Sequence, residues 1–350
     1  MRVLIDTTFQ ARAPLSGTGV YIARLVEALG REGSVTVLDV ANPRRRVPAG
    51  GGLGSVRNLS EDLWWTCVAL PRIARRERAD LIHHPLPAYA PVAGVPQVIT
   101  VVDLAFELLP ACFARGYRTY AHVFHRGAAR RAARVICISE ATAGDVRRVW
   151  GVPGERLSVA HLGPGQELGA TAQAGGRITA PRHFLYVGDD EPRKNLGVLL
   201  EAYALYRAGV GDPLELVLAG RLAPHSGPGV RVVERPDGTA LADLYAHAAA
   251  LVHPSLHEGF GLTPLEAMML GVPVIAARNP GVLEVCGDAA RYAGAGDPAA
   301  FAAAMADLGG SEAERARLAM LGTKRSRSFS WAGCARAHVD AYSLALGLSR

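Results

Sequence analysis

Glu258 and Glu266 stand eight positions apart in HEGFGLTPLEAM (257–268), and a Gly-Phe-Gly turn begins directly after the first of them. The apolar run at 249–252 and the good helix formers after Thr263-Pro264 make this segment a strand, a glycine loop and a helix. A helix start offers N–H groups without intrahelical partners and the positive end of the dipole, which together attract phosphate. Gly259 and Gly261 let a backbone approach such an anion closely, with Phe260, Leu262 and Thr263 completing the loop. Pro264 suits the first helical turn, and Thr263 ahead of it is expected to cap it. Carboxylates beside a phosphate are poor phosphate ligands and good hydroxyl acceptors. The pattern points to a polyhydroxylated ligand that also carries phosphate, such as a nucleotide sugar. A capped helix with acids near its N-terminus produces the same local pattern, so the glutamate pair alone leaves both readings open.

Other segments supply cations and glycine turns. YVGDDEPRKNLGVLLEAY (186–203) places Gly188 after a strand and Arg193-Lys194 before a helix. Adjacent cations at the mouth of a phosphate site are sensible, because Arg forks to two oxygens while Lys acts as a point charge. LAGR (218–221) ends a strand in Gly220-Arg221, and SGTGVYIARLVEAL (16–29) joins Gly17-Thr18-Gly19 to a helix. Each of these short turns is common at helix and strand ends and is weak on its own.

The stretch SLHEGFGLTPLEAMMLGVPVIA (255–276) resembles the signature of the retaining family 4 glycosyltransferases. That resemblance implies a GT-B fold, an α/β architecture of two Rossmann-like doubly wound domains facing across a cleft, with a last helix crossing back to the N-terminal domain. It implies that Glu258 lies near the donor sugar, that the 259–262 loop holds the diphosphate, and that Glu266 binds the ribose hydroxyls. Arg193 and Lys194 then neutralise the diphosphate, and Gly17, Thr18 and Gly19 lie under diphosphate and acceptor. Gly188, Gly220 and Arg221 become donor-side turns, with Arg221 at the base or in mere turn geometry. Asp189 stands where some relatives carry a further phosphate-binding Arg. In TVVDLAF (100–106) many relatives have His-Asp where this chain has Val102-Asp103. Asp103 is counted with Glu258, Arg193 and Lys194 among the catalytic candidates. Val102 in place of the His that approaches the sugar's 6-hydroxyl suggests a 6-deoxy donor, because a methyl beside Val102 strands no buried polar atom. A non-catalytic nucleotide-sugar-binding or activating partner, or a nucleotide-sugar 2-epimerase, is the alternative.

The elements that position these residues follow the same division. Apolar runs at 3–5, 35–40, 81–83, 98–102, 135–138 and 157–160 alternate with helical stretches, and a second series runs through 184–187, 214–219, 230–233, 249–252 and 272–276. Strands spaced by helices imply parallel sheets. The Gly-, Ala- and Thr-rich stretch between 163 and 181 is the linker. The expected domains are 1–165 on the acceptor side, a linker at 166–181, 182–330 for the nucleotide sugar, and a returning helix at 331–350.

With 350 residues, 49% hydrophobic and 20% charged, the chain builds ordinary buried cores in two domains. The net charge of +6 suits phosphate-bearing ligands or an anionic membrane face, and arginines cluster at 44–46, 72–78 and 126–134. No recognition motif supports nucleic acid. No run of 18 apolar residues and no cleavable leader is seen, and five scattered cysteines without CxxC spacing fit reduced thiols. A cytoplasmic enzyme, with peripheral contact at the inner membrane face, is expected. No metal-ligand cluster or Asp-x-Asp is found, so transfer without a metal or other cofactor is expected. The partners are the nucleotide sugar donor and a small-molecule, glycan or lipid-linked acceptor. His83, His84, His122, His125, His161 and His257 read as structural, and Trp64 and Trp65 as core.

Overall fold

The computed structural model describes residues 1–45, 53–165, 181–222 and 227–348. The chain divides into two compact units, Met1–Gly165 with Phe329–Arg350, and Gln166–Ser328. The linker at 166–181 lies outside the described residues except for Pro181.

The first unit holds a parallel sheet of β1 (Arg2–Asp6), β2 (Thr36–Val40), β3 (Leu81–His84), β4 (Gln97–Val101), β5 (Arg134–Cys137) and β6 (Leu157–Val159). Their order is β2-β1-β3-β4-β5-β6. The central strands β3 and β4 are buried at every position, whereas the edge strand β2 is not. Helices cover both faces of a parallel sheet, so its inner strands read as unbroken apolar runs.

The second unit repeats the scheme with β7 (His183–Val187), β8 (Glu215–Gly220), β9 (Val230–Glu234), β10 (Ala248–His253), β11 (Val274–Ala277) and β12 (Ala290–Ala293). Here the order is β12-β11-β10-β7-β8-β9, all parallel. From β7 the chain builds outward through β8 and β9, then returns to the other side of β7 for β10. The crevice at the carboxyl ends of β7 and β10 is therefore the topological switch point, where open α/β sheets take their ligands. Phe184, Tyr186, Leu216, Leu218, Val252, Ile275 and Phe301 form the core beneath it.

β12 was not expected from the sequence. Its Ala-Arg-Tyr-Ala run is short, and only Ala293 is buried, as befits an edge strand with an arginine facing outward. The two tryptophans divide: Trp65 is buried and donates from Nε1 to Asp6 Oδ2 at 3.1 Å, whereas Trp64 is 38% exposed beneath the Arg44 guanidinium, 4.9 Å from its ring centroid. The core expectation fails for Trp64 because, as its neighbour, it turns to another side of the helix.

The last helix, Trp331–Ala345, packs on the first unit. A Cβ on Gly163 would come to 2.6 Å of Trp331, and Trp331 Nε1 donates to Pro164 O at 2.7 Å. Deeper in, Tyr21, His83, Thr100, His338 and Tyr342 are all buried and form one chain of hydrogen bonds. Burial holds both imidazoles well below the usual histidine range, His338 at about 4, so both are neutral. His338 Nδ1 donates to Cys334 O at 2.8 Å, leaving its Nε2 to accept from Tyr21 OH at 3.1 Å. Each bond is then fixed in direction: Tyr342 OH donates to His83 Nδ1, His83 Nε2 to Thr100 Oγ1, and Thr100 to Tyr21 OH. All five cysteines are free thiols.

Candidate functional site

The site grows from the two strands at the switch point of the second unit. After β7, the Pro192–Lys194 turn ends at Asn195, which takes a left-handed conformation (φ 58°, ψ 39°) before the helix Leu196–Gly209. The Asn195 amide donates to Pro254 O at 3.2 Å and to Ala295 O at 2.6 Å, and Leu256 N donates to Arg193 O at 2.9 Å. Asn tolerates this backbone region better than most side chains. The loop after β7 is thereby stitched to the loop after β10.

That stitching brings three predicted residues together. Lys194 Nζ donates to Glu258 Oε1 at 2.6 Å and Arg193 Nη1 to Glu258 Oε2 at 3.3 Å. The Glu258 side chain is only 13% exposed, and Arg193 also pairs with Glu191 at 2.8 Å. Burial pushes the Glu258 carboxyl up, but Lys194, His253 and Arg193 together hold it well below the usual carboxylate range. Glu258 is a carboxylate at any physiological pH, and its two cations are inward-facing partners rather than solvated surface charges.

His253, at the end of β10, is the residue that sequence reasoning passed over. Its Nε2 lies 3.3 Å from Glu258 Oε1, buried, without an aligned hydrogen bond. Burial lowers its pKa, Glu258 opposes that, and Lys194 and Arg193 reinforce it, so the imidazole is neutral. Its signal was a polar side chain closing an otherwise apolar strand five residues before Glu258. Gly281 was also missed. A Cβ there would come to 2.3 Å of Glu258 O, so the helix Pro280–Cys286 sets the height of the Glu258 backbone.

The helix Leu262–Met269 begins two residues earlier than expected and is capped by Gly261 (φ 120°), without a side-chain bond. Thr263 is therefore inside the first turn and does not cap it. With φ in this region only glycine sits without strain, and a glycine cap leaves the helix start clear of a competing side-chain oxygen. Phe260 is buried under the loop. Glu266, on the same helix, is buried beside Tyr245, whose hydroxyl donates to Oε2 at 3.4 Å. Tyr245 is raised well above its usual range by burial and then by Glu266.

The ends of β7 and β8 cross at two glycines. Gly220 has φ 148°, and a Cβ on it would come to 2.1 Å of Gly188 O. Asp189 accepts from Arg221 N and Nη2, both at 3.0 Å, an exposed pair worth at most about 1 kcal/mol. Asp189, where some relatives carry an Arg, thus anchors Arg221, and turn geometry accounts for Gly220.

The remaining candidates lie in the first unit. Ser16 caps the helix Gly17–Arg31 by accepting from Gly19 N at 3.1 Å, and a Cβ on Gly19 would come to 2.0 Å of Ala13 O. Thr18 follows Gly17 in that first turn. Asp103 Oδ1 accepts from Ala105 N at 3.0 Å and so fixes the turn into the helix Ala105–Leu108. Val102, beside it, is half-buried.

Two family models cover most of the chain. Residues 15–163 match the model described as Glycosyltransferase Family 4, and 181–310 match Glycosyl transferases group 1. The chain belongs to the family 4 glycosyltransferases. Among the relatives of this glycosyltransferase, the Escherichia coli O-antigen chain mannosyltransferase B is 27% identical over 77% of this chain and 76% of its own. A D-inositol 3-phosphate glycosyltransferase 2 of Catenulispora acidiphila is 32% identical over 60% of this chain, and the match spans 56% of that protein. Among solved structures, sucrose-phosphate synthase from Thermosynechococcus elongatus superposes with a TM-score of 0.77 at 20% identity, covering 100% of both chains. The fold of the transferase is GT-B.

Proposed function

We propose that this glycosyltransferase moves a sugar from a nucleoside diphosphate donor to an acceptor hydroxyl, with retention of anomeric configuration and without a metal. The observation that carries the reading is the cluster of Lys194, Arg193 and Glu258 at the β7 and β10 switch point. Two half-buried cations and the adjoining glycine-capped helix start supply what a leaving diphosphate needs, which is why no metal is required. Glu258 sits beside them as a fixed carboxylate. It orients the sugar and offsets the positive charge that develops at its anomeric carbon, rather than attacking that carbon. The departing diphosphate takes the acceptor proton, so the acceptor arrives on the face the leaving group vacates. Glu266 holds the ribose hydroxyls, with Gly188, Gly220, Arg221 and residues 259–263 around the nucleotide, and Gly17, Thr18, Gly19 and Asp103 on the acceptor side.

Val102 supports a 6-deoxy hexose as the donated sugar, since it offers no partner to a 6-hydroxyl. The names of the relatives, a mannosyltransferase of O-antigen and an inositol phosphate glycosyltransferase, favour a hexose donor and a glycan or polyol acceptor. Incubating the protein with UDP-, GDP- and dTDP-sugars in the presence of EDTA, and following donor loss, tests the reading. Consumption of one donor class supports it, and inertness toward every donor would turn the account toward a binding-only partner, the alternative that Val102 favours.

We also infer a peripheral contact with anionic membrane. The helix Arg115–Arg131 carries Arg115, Arg118, Arg126, Arg130 and Arg131 without one acid, and exposes Tyr117, Val123 and Phe124. Among the described residues, no helix is long and apolar enough to cross a membrane.

A further inference from the structure

The cations assigned to the donor diphosphate are paired with Glu258. Lys194 Nζ is 2.6 Å from Oε1, Arg193 Nη1 is 3.3 Å from Oε2, and Arg193 Nε is 2.8 Å from Glu191 Oε2. Two cations face two carboxylates, so the cluster is neutral as it stands. A diphosphate arriving there gains the full attraction of Lys194 and Arg193 only by displacing Glu258 from them. The displaced carboxylate remains largely shielded from water, and a shielded carboxylate needs a partner. Only one further group lies close to it among the described contacts: His253 Nε2, 3.3 Å from Oε1 and itself without an aligned hydrogen bond.

We propose that Glu258 holds Lys194 and Arg193 in reserve as a stand-in for the donor diphosphate, and that His253 is the positioning residue that receives the carboxylate when the diphosphate displaces it. This rests on the donor-site reading above. The charged groups facing His253 are Glu258 from its own loop and Lys194 and Arg193 from the loop after β7, while its register partner on β11 is Ala276. Tyr186, whose hydroxyl donates to Asp189 O, lies in the field of the same Glu258 carboxylate. With no donor, the two cations oppose a charge on the imidazole. Once diphosphate neutralises them, burial is all that still opposes the pull of Glu258, and the imidazole takes a proton from solvent to form an imidazolium–carboxylate pair. Donor binding is thereby coupled to the uptake of one proton, and the displaced carboxylate is held by His253 in place of Lys194 and Arg193.

The experiment is calorimetric titration of the full chain with UDP and, separately, GDP at pH 7, in buffers of different ionisation enthalpy, for the wild type and Glu258→Gln, His253→Gln and Lys194→Ala. Glu258→Gln, with nothing to displace, binds the diphosphate about tenfold more tightly, the scale of one charge-assisted hydrogen bond no longer broken. The wild type takes up about one proton more on binding than His253→Gln, which keeps an N–H donor but cannot titrate, and proton release from the nucleotide's terminal phosphate is common to both. Lys194→Ala weakens binding. If Lys194→Ala binds both nucleotides as the wild type does, the donor-site reading falls and this inference with it. If Lys194→Ala weakens binding but Glu258→Gln binds no more tightly than the wild type, the donor site stands and the reserve role is overturned. Equal proton exchange on binding in the wild type and His253→Gln overturns the role of His253.

Discussion

Glu258 owes its charge to Lys194, Arg193 and His253, and its position to Gly281 beneath its backbone. Removing the charge while keeping the shape, as in Glu258→Gln, is expected to lower turnover about 100-fold, the scale of losing one preorganised electrostatic partner of a transition state. Circular dichroism unchanged beside that loss would separate it from misfolding. At the far end of the sugar, the wild type is expected to prefer a 6-deoxy nucleotide sugar over its 6-hydroxy match, and Val102→His to shift that preference toward the hydroxylated donor; paired rates for the two donors check this. Glu258, Arg193 and Lys194 were legible in the sequence because each sits in a contiguous, strongly marked segment. His253 was not, since its role exists only where two loops more than fifty residues apart are stitched together by Asn195. Thr263 misled for a local reason: it is a good capping residue, but Gly261 supplies the φ that starts the helix first.

The elements make the site by ending at the right place. β7 and β10 are neighbours although β8 and β9 intervene in the chain, and that reversal puts Arg193-Lys194 beside Glu258. The crossing of Gly188 and Gly220 fixes the height of the loop after β7. Gly220→Ala, with φ 148° and a carbonyl 2.1 Å from the new Cβ, is expected to destabilise the second unit by about 1 to 3 kcal/mol or more, read by urea unfolding. In the first unit, the docking of the helix Trp331–Ala345 rests on neutral His83 and His338. Both fold with a pKa below the unfolded value of about 6.5, so the unfolded chain binds more protons and stability is lost as pH falls from about 6.5 toward 4. For His338 alone the loss at pH 5 is about 2 kcal/mol, and thermal unfolding at pH 7 and pH 5 checks it. The inner strands were legible because buried parallel strands are unbroken apolar runs, and the edge strands β2, β6 and β9 keep enough Val and Leu to be read, while β12, short and carrying Arg291, was not. The terminal helix showed only an amphipathic pattern; which unit it packs on is decided by Trp331, His338 and Tyr342, contacts that no local pattern contains.

As a whole, the chain carries a formal net charge of +6, and its basic helix Arg115–Arg131 is free of acids. Sedimentation with vesicles containing anionic phospholipid is expected to bring the protein down, with neutral vesicles leaving it in solution and about 0.5 M salt releasing it. Both sheets are Rossmann-like, yet the cation and carboxylate cluster is confined to the second, where the family signature also lies. We propose that this cluster carries out sugar transfer with retention. NMR of the product formed from a panel of nucleotide sugars and a glycan acceptor, wild type beside Glu258→Gln, tests it most directly. The wild type is expected to consume one donor class and to give a product of the donor's own anomeric configuration, with Glu258→Gln at about a hundredth of the rate. A product of inverted configuration, or equal rates for the two proteins, would contradict it.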